Sequence, residues 1–129
     1  MKKLDITIIK NAQRETATLE LDRATSTLSI AFADGTQKTY SDIDIYVCFG
    51  LLRREFSEIA FLCKGSKVSV YPSAMASQMS SGLVAYEVTM GEPDAKLVRI
   101  FDYEENDLTN DINEQITYRN EWAESLQSL

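Results

Sequence analysis

TATLELDRATSTLSIAFADG, residues 16–35, decides the fold class of this chain. Within 16–22, Ala17, Leu19 and Leu21 alternate with polar residues. Within 26–33, Leu28, Ile30 and Phe32 do the same. A period of two places all the apolar side chains of a strand on one face, so both segments read as half-buried strands. Asp34-Gly35 marks a tight turn, and TQKTY after it is the return strand of a hairpin. Upstream, residues 2–10 alternate in part through Leu4, Ile6 and Ile8. The first forty residues therefore read as a meander of three or four antiparallel strands.

The period then changes. Ile45, Cys48, Phe49, Leu52 and Phe56 fall at helical spacing, with Ser41 and Asp44 as capping residues. Arg53 and Arg54 close this helix where its dipole favours positive charge. Gly50 inside it is expected to permit close packing on the sheet. IAFLC (59–63) reads as an apolar strand, Lys64-Gly65-Ser66 as a turn, and KVSVY (67–71) as the returning strand.

The next segment is unusual. GSKVSVYPSAMASQMSSG (65–82) carries six serines and two methionines. Pro72 stops the strand, Ser73 is a suitable N-cap, and Gly82 suits the end of a short helix. Met75 and Met79 share one face of that helix, and packing of this stripe into the core is the leading expectation, with a methionine contact surface as the alternative. No S-x-x-K spacing joins Ser66, Ser69 or Ser73 to Lys64 or Lys67, and GSK lacks the upstream glycine of a phosphate loop.

LVAYEVTM (83–90) and KLVRIFDY (96–103) read as a second hairpin across Gly91-Glu92-Pro93-Asp94. Asp111 with Glu114 resembles a capping box. It opens a final helix whose apolar side carries Ile112, Ile116, Tyr118, Trp122, Ala123 and Leu126, with Trp122 expected in the core. The sum is a single α+β domain over residues 1–129. Its mainly antiparallel sheet has about seven or eight strands, with three helices covering one face, the last of them C-terminal.

Composition narrows the chemistry. The chain has no histidine, which excludes Ser-His-Asp and Cys-His catalysis and a histidine general base. Cys48 and Cys63 match no metal or redox spacing and stand in apolar surroundings. They read as buried free thiols, as fits a reducing cytoplasm. MKKLDITIIK reads as a strand rather than a signal peptide, and no apolar run is long enough to span a membrane. No cofactor is called for.

The charge has an address. Residues 1–100 hold twelve acids and twelve bases; residues 101–129 hold eight acids and Arg119 alone, so the whole net charge of -7 lies in the last segment. Such a field repels nucleic acid and anionic membrane and attracts a basic protein. The run FDYEEND lacks the ligand alternation and central glycine of a calcium loop. The candidate partner-binding residues are Asp102, Tyr103, Glu104, Glu105, Asp107 and Asp111, with Tyr103 as the anchor inside the charged run. A solvated acidic face, a regulatory or assembly subunit with a basic partner, and a carboxylate- or metal-dependent enzyme around Asp102, Glu104 and Glu105 remain the competing readings.

The block CFGLLRREFSEIAFLCKGSKVSVYPSAMASQMSSGLVAYEVTMG, with VRIFDYEE and EQITYRNEWAESL after it, resembles the small immunity proteins of bacterial contact-dependent growth inhibition and related polymorphic toxin systems. The resemblance is one of pattern over residues 46–126. It implies a small, acidic, cytoplasmic protein without enzymatic activity, which binds one cognate toxin domain, often a basic nuclease, and blocks its working face.

Overall fold

The computed structural model describes residues 1–127. Strands β1 (Lys2–Lys10), β2 (Gln13–Asp22), β3 (Thr27–Ala31) and β4 (Gln37–Ser41) form the expected meander. All its pairings are antiparallel, with Leu4 opposite Leu19, Leu19 opposite Ile30 and Leu21 opposite Leu28. This register stacks the alternating apolar residues on one face, where Ile6, Ile8, Ala17, Leu19, Leu21, Leu28 and Ile30 are all buried. A slip of one residue would turn that whole set to solvent. The β1–β2 turn places Asn11 and Ala12 in the left-handed region, the type I′ geometry that matches strand twist.

Helix α1 (Ile45–Glu55) lies across this face. Ile45, Cys48, Phe49 and Leu52 are buried in the shared core, while Phe56 caps the helix at the edge. Its N-cap is Asp44 alone, accepting from the Val47 amide at 2.8 Å. Ser41 ends β4, so the cap begins three residues later than the Ser41–Asp44 pair implies. The expectation for Gly50 also needs correction. A Cβ there would stand 3.0 Å from Ile112 Cδ1, so the glycine admits the C-terminal helix, not the sheet.

Strand β5 (Ala60–Phe61) adds to the far side of β1, giving a five-stranded sheet in the order β4-β3-β2-β1-β5. The expected strand 59–63 shrinks to two residues. Cys63 is bridged to Tyr103, and the amides of Lys64 and Gly65 donate to the Asp102 and Ile100 carbonyls. Lys64–Ser66 is one turn of 3-10 helix, and β6 (Val70–Tyr71) is all that remains of 67–71 as strand.

Helix α2 (Ala74–Ser80) follows, capped by Ser73, whose hydroxyl accepts from the Ala76 amide at 3.0 Å. Strands β7 (Val84–Glu87) and β8 (Lys96–Arg99) pair as the expected second hairpin and join β6 in a separate three-stranded sheet, β6-β7-β8. Helix α3 (Ile112–Gln127) ends the described chain. Among the described residues the fold is thus α+β with three α-helices, the last C-terminal, and eight strands that divide into two antiparallel sheets of five and three instead of forming one. Val70, Ala85, Val98 and Ile100, in and beside the smaller sheet, belong to the same buried cluster as the meander and α1.

Two core expectations are overturned. Met75 and Met79 are 69% and 75% exposed. Helix α2 is docked through its serines, with Ser77 Oγ donating to Asp44 Oδ2. Met75 and Met79 sit two residues to either side of Ser77, about 200° away around the helix, and so face solvent. Trp122 is half-buried at the edge of the body, its indole N–H donating to the Glu92 carbonyl at 2.8 Å.

Candidate functional site

Beyond β8 the acidic run is laid along residues 62–68, fastened by the main chain at both ends. Glu104 donates its amide to the Leu62 carbonyl, and Val68 to that of Asp107. Thr109 donates to the Ser66 carbonyl, and Lys67 is bridged to Leu108. These bonds fix where each acidic side chain points.

The six candidate residues separate accordingly. Asp102, Tyr103, Glu105, Asp107 and Asp111 are exposed, whereas Glu104 turns inward and is 8% exposed. One Glu104 oxygen accepts from Lys64 Nζ at 2.9 Å and Lys67 Nζ at 3.1 Å; the other accepts from the amides of Glu105 and Asn106. Glu87 of β7 completes the cluster, taking Lys64 at 3.1 Å and Lys67 at 2.7 Å. Two lysines and two carboxylates thus alternate in a partly buried ring that balances its own charge. Burial opposes ionisation of Glu104, but the Lys64 ammonium, the Asn106 amide and the Lys67 ammonium outweigh it and hold the carboxyl down at about 2. Hydrogen bonds donated to Glu104 and Glu87 raise Lys64 and Lys67 in turn. Glu104 is therefore an internal counter-ion and offers no free charge to a partner.

Tyr103 is 52% exposed and held from both sides. Its hydroxyl accepts from Arg14 Nη1 at 2.8 Å and donates to Glu105 Oε2 at 2.8 Å, while Arg14 Nη2 lies 3.3 Å from the same oxygen. Glu105 is thus paired with a residue of β2. Asp111 caps α3, accepting from the Asn113 amide at 2.9 Å. With Glu114, Glu121, Val68 and Tyr118 it lines a shallow depression beside α3. Of the eight acids in 101–129, only Glu104 and Glu105 form ion pairs among the described residues; Asp102, Asp107, Asp111, Glu114, Glu121 and Glu124 are exposed without one.

The serines near Lys64 and Lys67 gain no base from them. Ser66 Oγ is buried without a hydrogen-bond partner among the described residues, and both ammonium groups are taken by Glu87 and Glu104. Both cysteines are free and buried, as expected. No group of three or more His, Cys, Asp or Glu side chains among the described residues is placed to hold a metal ion. Among the described residues no helix is long and apolar enough to cross a membrane.

Sequence reasoning missed the lysine-glutamate ring and a second polar cluster. Arg53 is fully buried; it donates to the Thr109 carbonyl at 2.7 Å and to Gln115 Oε1 at 3.0 Å, and stands 4.8 Å from the Phe49 ring centroid. Arg53 does stand with Arg54 in the last turn of α1, as expected, but its side chain is turned into the body. The signal was present, because Arg53 lies four residues after Phe49 on the apolar stripe of α1. Comparison with known protein families and with curated proteins finds no match.

Proposed function

We propose that this chain is an inhibitory binding protein of the immunity type. It engages one basic protein domain, a toxin of nuclease character, through the acids displayed after β8, and carries out no chemistry of its own. The observation behind this reading is the set of six exposed acids without ion-pair partners among the described residues, four of which (Asp107, Asp111, Glu114 and Glu121) lie from the start of the α3 approach to the middle of that helix. A nuclease must present positive charge to phosphate, and a fixed array of carboxylates competes for the same face and accelerates encounter. Tyr103, hydrogen-bonded to Arg14 and Glu105 and half exposed, supplies an aromatic anchor in the same acidic run. The same field disfavours nucleic acid and anionic membrane as partners, and the free thiols suit a cytoplasmic setting.

The test is recovery of the partner on the tagged protein at low and high salt, followed by production of that partner alone and together with this chain. The expected result is a basic protein, released by salt, that is toxic alone and harmless when co-produced. A variant carrying Asp107→Asn, Glu114→Gln and Glu121→Gln keeps the fold and slows association at low salt by about tenfold or more. A partner that is harmless alone would replace the immunity reading with that of a regulatory subunit. Unchanged association by the triple variant would remove the acidic face as the binding surface.

A further inference from the structure

The serine- and methionine-rich segment that contributes no nucleophile does build one wall of a cleft. Ser69 and Tyr71 lie beside Val88 and Tyr86 of the neighbouring strand region on one face of the small sheet, and Arg119 and Trp122 of α3 close the cleft. The space is about 220 Å³, and its lining is predominantly apolar. A cavity of about 150 Å³ already takes benzene, so this one admits a single aromatic ring with a short substituent. Aromatic walls with a few convergent polar groups are the usual make-up of a small-molecule site.

The charge of the ligand follows from Arg119. It is the sole base in residues 101–129, and it makes no ion pair among the described residues. Its guanidinium carbon stands 5.7 Å from the Tyr71 ring centroid, which seats the charge over the aromatic wall. Three aromatic rings alone would suit a cation, but a second cation would meet Arg119 on the ring it already covers. A carboxylate instead matches the guanidinium fork, with two parallel N–H donors for two oxygens. Asp111, Glu114 and Glu121 line the separate depression beside Val68 and not this cleft. Trp122 has its indole N–H committed to the Glu92 carbonyl, so its ring serves as wall.

We propose that this cleft binds a small aromatic carboxylate, its ring between Tyr71, Tyr86 and Trp122 and its carboxylate on Arg119. The site is independent of the toxin-binding reading.

Trp122 is the only tryptophan of the chain, so its fluorescence reports the cleft directly. The full-length protein is titrated with phenylacetate, with phenylacetamide and with the phenethylammonium ion, in parallel with calorimetry. Phenylacetate is expected to give a saturable change and to bind more tightly than either analogue. Arg119→Gln, a change at an exposed position, weakens phenylacetate by about tenfold and leaves the neutral amide unaffected. Ala95→Phe, which fills the cleft from an exposed lining position, abolishes binding. A response that does not saturate, equal binding of the amide, tighter binding of the cation, or unchanged affinity in both variants would each overturn the proposal.

Discussion

Gln115 and Arg53 meet at 3.0 Å with neither side chain exposed to solvent. Gln115 is the only fully buried residue of α3, and its amide also donates to the carbonyls of Gly65, Lys67 and Val70. One glutamine therefore ties α3 to α1, to the 3-10 turn and to β6. Burial pulls the Arg53 guanidinium below its ordinary value, and among the described residues no carboxylate forms an ion pair with it to offset that. Gln115→Leu is expected to destabilise the protein by about 3 kcal/mol, since it strands a buried charge and several carbonyls. Arg53→Met with Gln115→Leu should lose less than the sum of the two single changes. Urea denaturation of all four proteins provides the cycle, and simple additivity would dissolve the coupling.

The lysine-glutamate ring should appear in the pH dependence of stability. Glu104 titrates near 2 in the folded protein against an ordinary 4.5, so the unfolded chain binds more protons between those values. Its contribution is complete above about pH 4.5 and is lost as the pH falls towards 2. Glu87 is lowered as well and acts in the same direction. Lys64 and Lys67 are raised above 10.5, so their contribution is present below that value and disappears as the pH rises through their folded values. Glu104→Gln should cost on the order of 2 to 3 kcal/mol at pH 7 and little at pH 2, flattening the acid limb of the profile. An acid limb parallel to that of the unaltered protein would show that other carboxylates govern it.

Ser66→Ala offers a test in the opposite direction. The hydroxyl is buried and unpartnered, so its removal relieves a desolvation penalty and creates almost no cavity. Thermal denaturation should show a gain of about 1 kcal/mol. A loss of similar size would reveal a hydrogen bond, to water or to protein, that the serine makes in solution.

Both thiols should be inert in the folded protein. Burial pushes Cys48 up to about 11 and Cys63 up to about 12, which leaves almost no thiolate at neutral pH. An aromatic disulfide reagent at pH 7.5 should react with neither until denaturant is added, after which two thiols per chain are titrated. Rapid reaction of one thiol without denaturant would locate an opening of the core beside it.

Legibility from sequence followed the range of the forces involved. The meander was readable because strict alternation over Ala17–Leu21 and Leu28–Phe32 is enforced by one sheet face, and the turn chemistry of Asp34-Gly35 is local. The caps at Ser73 and Asp111 were readable for the same reason. The division into two sheets was not, because the groups that bond residues 62–65 beyond β5 belong to residues 100–104, some forty positions away. Within the candidate site, the exposed acids followed from composition, but the inward turn of Glu104 depended on Lys64 and Lys67, which no spacing rule links to it. The methionine stripe was assigned to the wrong side because helical period alone cannot say which face docks. Hydrogen bonding of Ser77 to Asp44 decided the matter.

The backbone fastening of the acidic run along residues 62–68 bears on how a partner would be met. A loop that must be ordered on binding gives up roughly 1 to 2 kcal/mol of conformational entropy per residue at that moment. Here the main chain is already committed at Asp102, Glu104, Asp107 and Thr109. Docking would then be a rigid-body event, with no folding step to slow it. The amide protons of Lys64, Val68, Glu104 and Thr109 should exchange slowly with solvent before any partner arrives.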